Sequence, residues 1–345
     1  MPGQELVNVE AYRDVPRNQS VTSEAAVPPT PAQVTIDPDL RGVLKERLVS
    51  LYREHFRPIG PKPELLERWA DDTLDAERSA AQLRLFEELG GVSLHGRRLL
   101  EIGAGVGMTV ATARLRFGAE AVGIEPGEDE YSGSLAVAAQ LHDALGLPRG
   151  LVRCGVGEAL PFPDATFDAV YSSNVLEHTQ DPETVVREAV RVLKPGGCLQ
   201  FVVPNYGSWW EGHYGILWIP NMPRWMARLY LRVRGRSTEY LETLQLINRR
   251  WLGRMVRRLP APVEVLDWGV ELWQNRVRTL QFAEYSSLGR LKRLVRWLHR
   301  LGLVHAVLWL GRRLHWETPL VLTLRRTPED TALSPSGTAA KDNRT

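Results

Sequence analysis

Leu99-Leu100-Glu101-Ile102-Gly103-Ala104-Gly105-Val106-Gly107 is the stretch that decides how the chain is read. An apolar run of strand type ends in three alternating glycines, and the residues beyond, at about 109–117, recur at helical spacing. Glycine lets the backbone approach a ligand closely, and a helix N-terminus offers unpaired N–H groups to it. The spacing is G-x-G-x-G followed by Met108, so the dinucleotide fingerprint G-x-G-x-x-G is not met. Glu101 places a carboxylate on the strand two residues before the first glycine. That charge suits a ligand carrying an ammonium group better than a pyrophosphate.

Outward from this turn, short apolar runs alternate with helical stretches. The runs are RLLEIG (97–103), EAVGIEP (120–126), GLVRCG (150–155), FDAVYSS (167–173) and GCLQFVVP (197–204), with helical patterns at about 109–117, 128–145 and 182–193. Such alternation specifies βαβ units and a parallel sheet covered on both faces. LKPGG (193–197) reads as a helix stop followed directly by a strand. Upstream, a helix is expected over Leu40 to Phe56 and a second, unbroken one from Pro63 to Leu89. Downstream, 205–243 reads as a helical insertion, followed by a helix at about 248–259, a strand at 263–268, helix over 284–315 and a last strand at 318–326.

Glu125 stands at the tip of the second strand, where a carboxylate can accept from both hydroxyls of a ribose. The chain resembles the class I S-adenosylmethionine-dependent methyltransferases of the type-11 group. The resemblance is carried by EIGAGVG, by Glu125, by the run from Glu158 to Asp168 (EALPFPDATFD), by Val170 to His178 (VYSSNVLEH) and by LKPGG, across about residues 90–205. It implies a Rossmann-like α/β sheet, mostly parallel and seven-stranded, with N-terminal helices and a helical, Trp- and Arg-rich C-terminal insertion. It implies S-adenosyl-L-methionine as cofactor. Glu101 and the backbone of Gly103, Ala104, Gly105 and Gly107 would hold its methionine part, and Glu125 its ribose. Val156, Gly157 and Glu158 would face the adenine, although Val156 stands where the family usually has an aspartate. Asn174 would lie near the transferring methyl group.

Two histidines are candidate bases. His178 follows the fourth strand, and the competing reading has it merely packed at the start of the next helix. His213 lies in the loop after the fifth strand, with Glu211 placed to orient it; the competing reading is a hydrophobic lid with a solvated imidazole. His55 and His142 read as ordinary helix residues. No spacing of His, Cys and Asp suggests a metal site, so no metal is expected.

Length and composition fit this reading: 345 residues, 43% hydrophobic and 24% charged, exclude a disulfide-stapled miniprotein or wholesale disorder. The expected divisions are a disordered leader (1–36), N-terminal helices (37–90), the cofactor-binding core (91–204), a lid and acceptor region (205–326) and a disordered tail (327–345). The two cysteines and the lack of a secretory pattern suggest a cytoplasmic protein. The net charge of +2 conceals an asymmetry: Glu211 to Arg326 carries 21 Lys+Arg against 8 Asp+Glu, and ten of the eleven tryptophans fall between Trp209 and Trp316. Residues 288–301 read as a basic amphipathic helix, and 223–232 repeat the character. Both suit contact with the inner face of a membrane. Nucleic acid is the disfavoured partner of that surface. The expected function is O-methylation of a sugar hydroxyl on a cell-envelope glycan or glycolipid, with a polyprenyl quinone-like or other lipid ring as the alternative acceptor. An inert cofactor-binding interaction module is the alternative of another class.

Overall fold

The computed structural model describes residues 34–127, 132–279 and 296–328. Three helices come first. In α1 (Pro38–His55) the Asp37 carboxylate caps the N–H groups of Asp39 and Leu40, and Leu44, Leu48 and Tyr52 are buried one turn apart. The single helix expected from Pro63 to Leu89 is instead two, α2 (Pro63–Thr73) and α3 (Ala76–Gly90). Asp75 causes the break: its side chain accepts from the N–H of Glu77 at 2.8 Å and of Arg78 at 3.4 Å, starting a new helix inside an unbroken apolar pattern.

The sheet follows as β1 (Arg98–Ile102), α4 (Met108–Phe117), β2 (Glu120–Glu125), α5 (Ser132–Ala144), β3 (Val152–Cys154), β4 (Phe167–Ser173), a 3-10 turn (Leu176–His178), α6 (Pro182–Val192) and β5 (Leu193–Val203). LKPGG is not a stop before the strand; it is the first part of β5, which pairs through Leu193 with Phe167 and resumes at Cys198 with Ala169 after a register shift. The region after β5 is less helical than expected. It opens with a hairpin, β6 (Trp210–Glu211) and β7 (Ile216–Leu217), before α7 (Arg224–Val233), α8 (Glu239–Thr243) and α9 (Arg249–Val256). Then come β8 (Val263–Asp267), α10 (Val270–Thr279), α11 (Val304–Leu314) and β9 (Leu320–Arg326). Helix α10 falls where no element was expected.

The strand order is β3-β2-β1-β4-β5-β9-β8. The first five strands are parallel, and β9 inserts antiparallel between β5 and β8. One face is covered by α3 and α4, with Leu83, Phe86 and Val110 packed on Leu99 and Tyr171. The other is covered by α6 and α9, with Val185, Val186 and Leu252 packed on Leu100 and Val170. A third core lies above the sheet: Leu48 and Tyr52 of α1, Phe56 just past its end and Trp69 of α2 pack with Tyr214, Trp218, Leu231 and Tyr240 of the post-β5 insertion. Val106 and Met108 of the glycine turn join that core. The N-terminal helices and the insertion therefore form one roof over the carboxyl ends of the strands, where open parallel sheets bind ligands.

The leader through residue 33, the tail from residue 329 and residues 288–295 of the expected amphipathic helix lie outside the described residues. Among the described residues, no helix is long and apolar enough to cross a membrane.

Candidate active site

Three glycines shape the turn after β1. Gly103, Gly105 and Gly107 have φ of 74°, 54° and 74°, in the left-handed region that other residues rarely adopt. The N–H groups of Gly103 and Ala104 donate to the Ile124 carbonyl at 2.8 and 3.0 Å, and the Gly105 N–H donates to the Glu125 carboxylate at 2.9 Å. The turn is thus tied to the end of β2. Behind it, buried His142 sets Nε2 3.0 Å from the Gly107 carbonyl. His142 is therefore a wedge against the loop rather than an ordinary helix residue, a role its position in α5 gave no sign of.

Glu101 is 5% exposed, and its Oε2 has no hydrogen-bond partner among the described residues. Burial pushes its carboxyl up to about 8, against contacts with Thr109 and the Val110 N–H that favour ionisation. A buried, underpaired carboxyl behind a glycine turn fits a cationic ligand group: an ammonium would supply the missing donor and restore the charge. Beside it a small cavity of about 30 Å³ is bounded by Gly105 and Thr109 on the sheet side and by Tyr52, Asp72, Arg78 and Gln82 on the helix side. Arg78 is buried, with Nη1 3.5 Å from Asp72 Oδ1, so this cavity holds a cation suited to a ligand carboxylate. Sequence reasoning missed Arg78, Gln82 and Tyr52, because α1–α3 show only ordinary helical patterning.

The other expected cofactor residues lie at neighbouring strand ends. Val156 is half-exposed after β3, Gly157 is packed against Val185 and Ile102, and Glu158 accepts from the Gln180 N–H at 2.9 Å. Asn174, at φ 53°, is buried at the end of β4, with Nδ2 3.2 Å from Ser173 Oγ.

Beyond Asn174 the fold gathers histidines from three parts of the chain. The rings of His178 and His213 are 5.3 Å apart at 87°, and His55 lies 6.3 Å from His178. Tyr240 contacts all three rings. His213 is not solvated: its side chain is fully buried, and Nδ1 lies 2.7 Å from Glu211 Oε1. Glu211 Oε2 also accepts from the Tyr214 N–H at 2.7 Å, so the carboxylate is fixed before it fixes the imidazole. With Nδ1–H donated to the carboxylate, Nε2 carries the lone pair. His178 is held neutral, well below the usual imidazole range, by burial and by the neighbouring His213 and His55. His55 is pushed down to about 3 by burial and by His213, and its Nε2 lies 3.2 Å from the Tyr240 hydroxyl. The expectation of no ligand set rested on spacing along the chain. The fold instead brings one ligand atom each of Glu177, His178 and His213 within 4.8 Å of one another.

This sheet order, with an acid-flanked glycine turn after β1, an acid at the end of β2 and a roof over the strand ends, defines the Rossmann-like fold of class I methyltransferases. Residues 100–201 match the family described as a methyltransferase domain. An uncharacterized methyltransferase of Mycobacteroides abscessus is 35% identical over 125 residues, 36% of this chain and 45% of that protein. A ubiquinone biosynthesis O-methyltransferase of Paracidovorax citrulli is 39% identical over 148 residues, 41% of this chain and 59% of that one. The chain spans about half the length of the curated relatives it matches. Among solved structures, an S-adenosylmethionine-dependent methyltransferase from Mesorhizobium loti is similar at 17% identity and a TM-score of 0.43, covering 73% of this chain and 98% of that one.

Proposed function

We propose that the chain uses S-adenosylmethionine to methylate an oxygen atom, on a sugar hydroxyl of a membrane-associated glycan or glycolipid. The observation that carries the cofactor is the buried Glu101 carboxyl, with an unpartnered oxygen, behind a glycine turn tied to Glu125. Glu101 receives the ammonium group, Arg78 the carboxylate, and Glu125 the ribose hydroxyls. The sulfonium supplies an electrophilic methyl group whose transfer consumes a positive charge. The C–S bond breaks as the C–O bond forms, and the hydroxyl proton must leave. The protein therefore contributes mainly alignment and exclusion of water, worth about 7–11 kcal/mol in favourable cases. His178 and His213, packed together beyond Asn174, are the groups that lower the cost of deprotonating the acceptor.

The surface supports a lipid-associated acceptor. Trp225, Leu229 and Val233, at 65%, 56% and 77% exposure, form a stripe one turn apart on α7. Exposed Leu217 and Ile219 lie beside it, joined through the hydrogen bond from the Tyr230 hydroxyl to the Leu217 carbonyl. Arg232, Arg234 and Arg236 are exposed at its end. An apolar stripe ending in arginines suits an anionic bilayer surface, where each basic residue contributes about 1 kcal/mol. The named activity of the Paracidovorax citrulli relative favours a quinone-like ring as the second acceptor.

Calorimetric titration should give micromolar binding of S-adenosylmethionine and none of NAD. Labelled methyl should then pass to lipid-linked glycans in preference to polyprenyl phenols; the reverse preference would select the quinone reading. Cofactor binding without transfer to either would leave an interaction module. The chain should co-sediment with vesicles containing phosphatidylglycerol and not with phosphatidylcholine alone. Trp225→Ser with Leu229→Ser should abolish that sedimentation, and equal sedimentation of this variant would remove α7 from the contact.

A further inference from the structure

We infer that Glu177, His178 and His213 form a binding site for a single divalent transition-metal cation of zinc type. The three come from two segments, the 3-10 turn after β4 and the loop between β6 and β7, and meet only in the fold. Two imidazoles and a carboxylate are a donor set that favours zinc and its first-row neighbours over magnesium or calcium, which prefer all-oxygen shells. Three protein ligands also leave a fourth position for a water or a substrate oxygen.

Further geometry agrees with this assignment. The Glu211–His213 contact at 2.7 Å is the carboxylate–histidine arrangement that orients metal-bound imidazoles. Glu211 is itself fixed by the Tyr214 N–H, so the orienting group is rigid. The Glu177 side chain is fully buried beside His178, with Oε1 3.7 Å from Nε2, so two of the three ligand atoms already stand close together. Ligand atoms bonded at about 2.0–2.2 Å stand roughly 3.4 Å apart at tetrahedral angles, so loading draws the present 4.8 Å span together by small ring rotations.

The catalytic consequence rests on the methyl-transfer reading: an acceptor hydroxyl at the open position loses its proton more readily, and His213 acts as a ligand rather than as the base. The site itself stands or falls by binding. The full chain, purified without added metal and treated with a chelator, is titrated with Zn²⁺, and separately with Co²⁺ followed by its d–d absorption. One equivalent should bind, with the absorption intensity of a four-coordinate site. His213→Ala and Glu177→Gln should each remove this absorption. Glu211→Gln, which leaves all three ligands in place, should weaken binding about 10–100-fold. Circular dichroism and S-adenosylmethionine binding at the glycine turn report whether each variant is folded. No bound equivalent in the unaltered chain, or unchanged Co²⁺ spectra in folded His213→Ala, overturns the site and returns His213 to the role of base. Loss of the cation with S-adenosylmethionine binding intact supports it, and failure of S-adenosylmethionine to bind while Zn²⁺ still does would overturn only the methyl-transfer reading.

Discussion

Glu101→Gln should fold, gain stability above neutral pH and lose S-adenosylmethionine. The loss should be at least about 10–150-fold, the value of a hydrogen bond to a charged group at roughly 1.5–3 kcal/mol. The gain follows from the same burial. Glu101 is raised from 4.5 to about 8 in the folded, ligand-free chain, chiefly by desolvation. Between those values the folded chain keeps a proton that the unfolded chain has released, so the stability contributed by protonated Glu101 falls as pH rises through that window. Glutamine keeps the volume and cannot ionise, so it removes this pH dependence. An ammonium beside the carboxyl favours the ionised form. Below pH 8, binding therefore releases a proton, and affinity should climb as pH approaches 8 and then level. Titration calorimetry in two buffers of different ionisation enthalpy measures that proton; thermal melts at pH 6 and pH 8.5 measure the stability. A Glu101→Gln variant that binds as the unaltered chain does would falsify the assignment of Glu101 to the ligand's ammonium group. A variant that unfolds would show that the carboxyl is structural.

The sheet and the glycine turn were legible in the sequence because their signals are local. Alternating apolar runs and helical spacing need no tertiary information, and Gly103, Gly105 and Gly107 mark a backbone conformation that other residues rarely adopt. The roof was not legible. Tyr240 meets His55 across 185 positions, a contact that no local pattern encodes. For the same reason His55 read as an ordinary helix residue, and a set of candidate ligands divided between 177–178 and 213 passed unnoticed. The split of α2 from α3 was within reach, since Asp75 is a standard capping residue, but an apolar period running through Leu74 concealed it. Where a residue's role depends on what the fold places opposite it, as for His142 behind Gly107, sequence position alone carries no signal.

Two adjacent glycines of the turn should separate binding from folding. Gly107→Ala is expected to damage the fold. Its φ is +74°, and an added Cβ would stand 2.7 Å from His142 Nε2 and 2.8 Å from Val152 Cγ2. Left-handed strain of about 1–2 kcal/mol adds to overpacking of about 1–3 kcal/mol. Together these should lower Tm by roughly 5–15 °C in a domain of this size. Gly105→Ala carries the same kind of strain at φ 54°, but its Cβ meets nothing within 4 Å, because Gly105 faces the cavity. It should melt only a few degrees early and still exclude the cofactor, since the new methyl group occupies the space the ligand needs. His142→Ala combined with Gly107→Ala should recover part of the steric loss and none of the backbone strain, giving a non-additive cycle. Gly105→Ala combined with His142→Ala should be additive. Melting temperatures and S-adenosylmethionine titrations of these variants decide the matter. If Gly105→Ala bound the cofactor normally, the cavity between the glycine turn and Arg78 would not be the cofactor site, and the ligand would have to approach the strand ends from the side of Val156.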